Sequence, residues 1–385
     1  MINYLTNTSN QLKGILYDLI LAFASIGNKQ SATKKLLIVR VDEIGDYILW
    51  RNFFAEIVSY YQQRHYEVHF IGNKSWKTLF ELFDKKNITQ DYWLDKTKFK
   101  KNLRYRYNLL RAINQNGYET VVNPTFSRDK RNDDAIVKAA KALFTIGMKS
   151  NTESVRSYEM GYDKKLYTTL YNLTEKPVFE FYRNKLFTEF IVQQASNKIN
   201  TALKKELLPP NPISLTGKYF IVFPGSRSPQ RIWPVAYFIE VCKFLYEKYG
   251  LTAVLCGSVA DISYTNAFAQ NYPYDLVNMA EKTTLPEMLS LLSKAECLIS
   301  VDTGSVHLAA SVACPVFGIF NGSQYKRFAP YPKEVSKCFF TAYPTKIADE
   351  LKDEELIKSK YEFLVSIPYS SIEPAKVIQL ISDNL

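Results

Sequence analysis

Leu36-Leu37-Ile38-Val39-Arg40-Val41-Asp42-Glu43-Ile44-Gly45-Asp46 decides how this chain is read. Leu36–Val41 is an apolar run of strand length, broken only by Arg40, and is expected to be a buried strand. Asp42–Asp46 make the turn, and a helix is expected from Tyr47 to about Tyr60. Outward from there the same alternation continues. Val68–Ile71 reads as a strand, residues around Ser75–Phe83 as a helix, and Tyr92–Leu94 and Thr120–Val122 as further strands. Asp133 can cap a helix running through Phe144. Strand and helix in turn predict a parallel sheet with helices on both faces.

A second series follows the loop Leu208–Thr216, which holds Pro209, Pro210 and Pro212. Tyr219–Phe223, Thr252–Leu255, Cys297–Val301 and Val316–Phe320 read as strands. Pro234–Tyr249 and Ser305–Val312 read as helices. Thr283 or Thr284 caps another through Lys294, with Glu287 placed for a capping box. The expectation is an α/β chain with two Rossmann-like units in tandem. Residues 34–205 and 206–350 form the domains, with an amphipathic helix within 1–33. A polar helical tail, 351–385, is free to cross back to the first domain. At 385 residues the chain can bury two cores.

The charge is one-sided. Residues 1–200 carry 31 Lys and Arg against 20 Asp and Glu, whereas 201–385 carry 18 of each, so the whole net charge of +11 lies in the first half. Such asymmetry points to a polyanion or an anionic membrane surface. No nucleic-acid recognition motif accompanies it. The five cysteines (Cys242, Cys256, Cys297, Cys314, Cys338) lie mostly in apolar runs with no C-x-x-C spacing. They read as core thiols of a reducing compartment, not as zinc ligands. Near the start, Leu12, Ile15, Leu16, Leu19, Ile20 and Phe23 form one helical stripe. The run is too short to span a bilayer and is interrupted by Asp18. It is either an interfacial membrane helix or a helix docked on the protein's own core.

Four segments carry chemistry. In the opening turn, Gly45 permits a close approach to ligand, and Asp46 starts the helix, where the dipole favours its ionised form. An ionised carboxylate in a cleft can deprotonate a sugar hydroxyl; an N-cap is the plainer role. After Phe223, the loop Pro224-Gly225-Ser226-Arg227-Ser228-Pro229-Gln230-Arg231 can meet a diphosphate with Arg227 and Arg231, Gly225 and Ser226 adding backbone and hydroxyl donors. It lacks the spacing of a Walker loop. After Val301, Asp302-Thr303-Gly304-Ser305 sets donors at a helix N-terminus, with His307 on the first turn. Finally, Lys96, Lys100, Arg104 and Arg111 fall within about 80° on a helical wheel. They form either a solvated face or a contact for anionic lipid or phosphorylated glycan.

In order and content these loops resemble glycosyltransferase family 9, the group of the lipopolysaccharide-core heptosyltransferases. The resemblance rests on Leu36–Asp46, on Pro224-Gly225-Ser226 with Arg231-Ile232-Trp233-Pro234, and on Thr283-Thr284-Leu285 through Ala295. It rests most specifically on Val301-Asp302-Thr303-Gly304 with His307-Leu308-Ala309-Ala310. It covers roughly residues 35 to 330. It implies the GT-B architecture, two Rossmann-like domains facing across a cleft, with acceptor in the first and donor in the second. It also implies inversion in a single displacement, with Asp46 as general base and Asp302, Thr303, Gly304 and His307 in the donor turn. Arg231 stands where family members usually carry a lysine, and a guanidinium can still hold phosphate.

The resemblance further implies that no metal or other cofactor is needed, since arginines and helix N-termini can meet the diphosphate charge. The expected reaction moves a sugar, heptose from ADP-heptose, to a lipopolysaccharide-core or other cell-envelope glycan. The expected location is the cytoplasm, peripheral on the inner face of the membrane, with no nucleic-acid partner. A UDP- or GDP-sugar transferase or epimerase on the same fold, and a silent nucleotide-sugar-binding protein, are the alternatives.

Overall fold

A computed structural model describes residues 2–27, 33–86, 88–150, 161–173 and 178–385, with side chains from residue 13 onward. The Leu12 position of the amphipathic stripe therefore lies outside the described side chains. The first half runs α1 (Ile2–Ala24), β1 (Lys35–Arg40), α2 (Ile44–Gln62), β2 (Glu67–Asn73), α3 (Lys77–Phe83), β3 (Gln90–Leu94), α4 (Lys96–Lys101), α5 (Leu103–Gln115), β4 (Thr120–Asn123), α6 (Asp133–Ala140), β5 (Phe144–Met148), β6 (Thr169–Tyr171) and α7 (Glu180–Val192). The second half runs β7 (Tyr219–Phe223), α8 (Val235–Tyr249), β8 (Thr252–Leu255), α9 (Ile262–Asn271), β9 (Leu276–Asn278), α10 (Leu285–Leu292), β10 (Leu298–Val301), α11 (Gly304–Ser311), β11 (Val316–Ile319), β12 (Phe339–Ala342), the one-turn α12 (Glu354–Leu356) and α13 (Pro374–Asn384).

Each half holds one all-parallel six-stranded sheet. The orders are β3-β2-β1-β4-β5-β6 and β9-β8-β7-β10-β11-β12, so both halves repeat one topology. In each the strand order reverses beside the first strand, between β1 and β4 and between β7 and β10. Ligands of doubly wound sheets sit beyond the carboxyl ends of strands at such a reversal. Leu36 to Val39 are fully enclosed, because helices cover both faces of the sheet. One core joins the halves: α2, α3 and α7 from the first pack with α10 and α11 from the second. The outer face of the first sheet is covered by α1, α5 and α6, and that of the second by α8, α9 and α13. The boundary expected at 205/206 falls in the connection between α7 and β7.

Three sequence expectations need correction. The helix expected from Asp133 to Phe144 stops at Ala140, where Lys141 turns left-handed (φ 49°), and Phe144–Met148 pairs as β5 between β4 and β6. The tail does not return to the first domain through α13. Val377 and Ile381 of that helix complete the outer core of the second sheet beside α8. The single basic helix from Lys96 to Arg111 is two helices, because Asn102 ends α4 and its side chain accepts from the Tyr105 amide to cap α5. The wheel that aligned Lys96, Lys100, Arg104 and Arg111 therefore does not apply across the break. The placement of the apolar stripe of α1, left open by the sequence, is outward at Ile15, Leu16, Leu19 and Phe23, and the helix docks through Tyr17, Leu21 and Ala24.

The five cysteines are unpaired and four are buried. No described helix is long and apolar enough to cross a membrane.

Candidate active site

The two strand-order reversals face each other. α2 begins at Ile44 just after β1, and α11 begins at Gly304 just after β10, so two helix N-termini point into one gap. The first turns touch. A Cβ on Gly304 would lie 3.3 Å from that of Ile44, and one on Gly45 would lie 2.5 Å from Cδ2 of the His307 ring. Only glycine lets these backbones come so near. Unpaired amides and the positive ends of both dipoles make the gap attractive to an anion.

Two adjoining cavities open here. One, of about 310 Å³, is lined by Asp42, Asp46, Lys96, Thr125, Ser127, Glu180, His307 and Arg327, among others. The other, of about 500 Å³, is lined by Ser226, Arg227, Arg231, Asp302, Thr303 and Ser305, with Ser258, Glu281, Thr284 and Met288 at its far end. Glu43, Gly45, Arg231, Asp302, Thr303 and Gly304 border both. Gly225 lines neither. It makes room for Asp261, whose carboxylate would meet a Cβ there at 2.2 Å. Of Lys96, Lys100, Arg104 and Arg111, Lys96 lines one of these two cavities and the others line neither; Arg111 donates to the Ile26 carbonyl.

Asp46 is at once a cap and a wall of the cleft. The Glu43 amide donates to its Oδ2 at 3.3 Å, half of a capping box. Arg40, buried at the end of β1, pairs with Asp42 at 3.0 Å and donates to the Asp46 carbonyl oxygen at 3.1 Å. Burial, reinforced by Asp42, raises the Asp46 carboxyl to about 8 despite Arg40. This runs against the expectation of a carboxylate kept ionised at the helix N-terminus, with loss of water as the leading cause. Asp42 is raised as well, by burial, with Arg40 and Lys96 opposing.

Cations occupy both banks. Lys96 lies 2.8 Å from Glu43, and Arg227 reaches the other Glu43 oxygen at 2.7 Å. Burial pushes Glu43 up, but these two partners hold it below the usual carboxylate range. Arg231 pairs with the buried Asp302 at 3.0 Å. Thr303, Ser305 and Ser300 link their hydroxyls within 3.3 Å of one another. His307 stands against Tyr331, Nδ1 to hydroxyl 2.7 Å, and burial with the Arg231 charge lowers it to about 3. It is a neutral ring, packed like a core histidine on one side and facing the cleft on the other.

The sequence pattern described as glycosyltransferase family 9 (heptosyltransferase) matches residues 106–357. The chain belongs to glycosyltransferase family 9.

Relatives of the family bear lipopolysaccharide names. Lipopolysaccharide heptosyltransferase 3 of Escherichia coli is 22% identical over 284 residues, 72% of this chain and 77% of that protein. The lipopolysaccharide core heptosyltransferase OpsX of Haemophilus influenzae is 25% identical over 121 residues, and the match spans 31% of this chain and 35% of OpsX. The solved family 9 glycosyltransferase of Veillonella parvula superposes with a TM-score of 0.67 at 16% identity, covering 92% of this chain and 98% of that one. Escherichia coli heptosyltransferase WaaC with ADP gives 0.63 at 14% identity, covering 91% and 100%. The fold is therefore GT-B, as the sequence implied.

Sequence reasoning missed a buried pair that ties the two GT-B domains together. Glu180, opening α7 in the first domain, accepts from Arg327 Nε of the second at 2.9 Å and also pairs with Arg183 at 3.3 Å. Burial pushes its carboxyl up, but the two guanidiniums hold it below the usual range. Glu180 and Arg327 are 147 positions apart, so no local pattern links them. Among the described residues no group of three or more His, Cys, Asp or Glu side chains converges as metal ligands.

Proposed function

We propose that this family 9 glycosyltransferase moves heptose from ADP-heptose to a hydroxyl of a lipopolysaccharide-core or related cell-envelope glycan, with inversion. The observation that carries this is the convergence of Asp46 and the diphosphate-type loop on one continuous cleft between two helix N-termini. The nucleoside would lie toward Ser258, Glu281 and Met288, and the diphosphate at Arg227, Arg231 and the α11 amides. The names of the relatives support heptose and lipopolysaccharide.

In the proposed step the acceptor oxygen bonds to the anomeric carbon while its proton passes to Asp46. The bond from that carbon to the diphosphate breaks on the opposite side. The charge that develops on the leaving diphosphate is met by Arg231, Arg227 and the helix dipole, so the step uses no metal. Asp46 must be deprotonated to act, and a carboxylate raised toward neutrality is a stronger base than an ordinary one. A neutral His307 can hydrogen-bond a sugar hydroxyl beside Gly45. The acceptor, an anionic glycolipid, would meet the enzyme at the inner face of the cytoplasmic membrane.

The test is turnover of ADP-, UDP- and GDP-sugars on a purified lipopolysaccharide core, read by mass spectrometry. A heptosylated product from ADP-heptose alone is expected. Product only from a UDP- or GDP-sugar would replace the donor, and nucleotide-sugar binding with no product would reduce the protein to a binder.

A further inference from the structure

α1 presents its more apolar side to solvent. Its inner face, Tyr17, Leu21 and Ala24, packs over α5 and α6. The Tyr17 hydroxyl donates to the Lys100 carbonyl at 2.5 Å, and the Arg106 guanidinium lies 4.2 Å from its ring. The outer face carries Ile15, Leu16, Leu19 and Phe23, which are 59%, 39%, 51% and 60% exposed, and Ile26 follows just beyond the helix. Leu103 and Tyr107 on the neighbouring α5 are exposed too. A helix whose only role was to cover its own sheet would turn this stripe inward.

The surroundings are basic. Lys13 on α1, Lys100 and Lys101 at the end of α4, Arg104 on α5 and Lys138 on α6 are all exposed. Asp18 is the one acidic residue of α1. A second copy of the chain is a poor occupant. A two-fold contact sets the same patch against itself and would oppose these five cations with only Asp18 of α1 to meet them. An apolar ridge with cations on the flanking helices is the composition of a helix that lies in the plane of an anionic bilayer.

We propose that the outer face of α1, with Leu103 and Tyr107, inserts into the headgroup boundary of an anionic membrane while Lys100, Lys101 and Arg104 engage lipid phosphates. This ridge borders the acceptor side of the cleft. A Cβ on Gly14 of α1 would lie 2.9 Å from Arg131, which ends the loop carrying Thr125 and Ser127 into the catalytic cavity. The docking rests on the proposed transfer reaction only for its purpose, delivery of a glycolipid acceptor.

Cosedimentation of the full chain with vesicles of phosphatidylethanolamine and phosphatidylglycerol, and with phosphatidylcholine vesicles, tests it. Binding to the anionic vesicles is expected. The double variant Leu19→Glu/Phe23→Glu should partition at least about tenfold less, since one large apolar side chain withdrawn from water contributes roughly that factor. Its melting temperature and its ADP affinity should match the parent, because both side chains are exposed and neither lines a cleft cavity. Lys101→Glu/Arg104→Glu should weaken anionic binding and flatten its salt dependence.

Failure of the parent to bind anionic vesicles, or equal binding by the Leu19/Phe23 variant, overturns the docking. So does a parent dimer that this variant dissociates without any vesicle binding. Turnover on a soluble core fragment without vesicle binding would sink the docking alone. Vesicle binding without turnover would sink the transfer reaction alone.

Discussion

Arg227 of the second domain ends on Glu43 of the first, Nη1 to Oε2 at 2.7 Å, with Lys96 on the other oxygen at 2.8 Å. The guanidinium suited to a donor diphosphate is thus held across the cleft by a carboxylate that a diphosphate would displace. Half-exposed ion pairs contribute little, about 0–1 kcal/mol, so the competition is mild. Glu43→Gln should tighten ADP binding about two- to fivefold, the range that energy allows. Calorimetry reads it, and weaker binding would mean that the bridge helps to close the cleft over the nucleotide.

Asp46→Asn keeps the shape of the side chain and most of its capping capacity while removing its basicity. kcat should fall about a hundredfold or more, the usual contribution of a positioned base. Stability should move the other way. A carboxyl raised to about 8 in the folded protein binds a proton that the unfolded chain, with its ordinary value of 3.8, releases between those pH values. Stability therefore declines as pH rises through that window, and the amide escapes the decline. The variant should melt higher than the parent near pH 8. Retained turnover with a lowered melting temperature would mark Asp46 as a cap only, and Asp42 would be the next carboxylate to test.

The same residue predicts the pH profile. The working form is deprotonated, so kcat/KM should climb with pH and level off above about 8. The acidic limb should vanish in Asp46→Asn. A limb near pH 4 would mean that substrate-free Asp46 is an ordinary carboxylate.

Arg231→Ala should weaken ADP binding by about 1.5–3 kcal/mol, the value of a hydrogen bond to a charged group. It also strips Asp302 of its partner at 3.0 Å. The double variant with Asp302→Asn separates the two effects: stability should recover while affinity stays low. Recovered affinity would assign Arg231 to holding Asp302 and not to the donor.

Glu180→Gln removes the negative charge shared by Arg327 and Arg183 and leaves a neutral carbonyl acceptor in its place. Breaking a buried pair on one side costs about 3–5 kcal/mol, because a charge is left without its partner. A large drop in denaturation midpoint is expected, and because the pair spans both domains, unfolding should separate into two steps. A shift of a few tenths of a kcal/mol would show that water takes over the role of Glu180.

Most central strands and the edge strand β3 were legible, whereas the inner strand β5 and the edge strands β6, β9 and β12 were not. β1, β7 and β10 are buried on both faces and read as continuous apolar runs. β6 and β9 are three residues each at or near a sheet edge, too short to carry a period. Asp46, Arg231, Asp302, Thr303, Gly304 and His307 were readable because each follows a strand whose carboxyl end faces the cleft. The packing of Gly225 was not readable, because its tight neighbour, Asp261, comes from a distant loop. Glu180 and Arg327 left no signal, since the charge balance that defines them exists only once the domains have met. Which of the two readings of α1 applies was not legible, because an amphipathic pattern does not say which side of a helix its sheet will take.

Gly45 and His307 amount to a gauge block between the domains. The distance from floor to roof of the cleft is set by an atom that is missing, since a methyl at position 45 would stand 2.5 Å from the imidazole. A methyl there would have to displace the His307 ring or move the first turn of α2 away from that of α11. Residue 45 is therefore where added carbons would bear first on the spacing of the two helix N-termini.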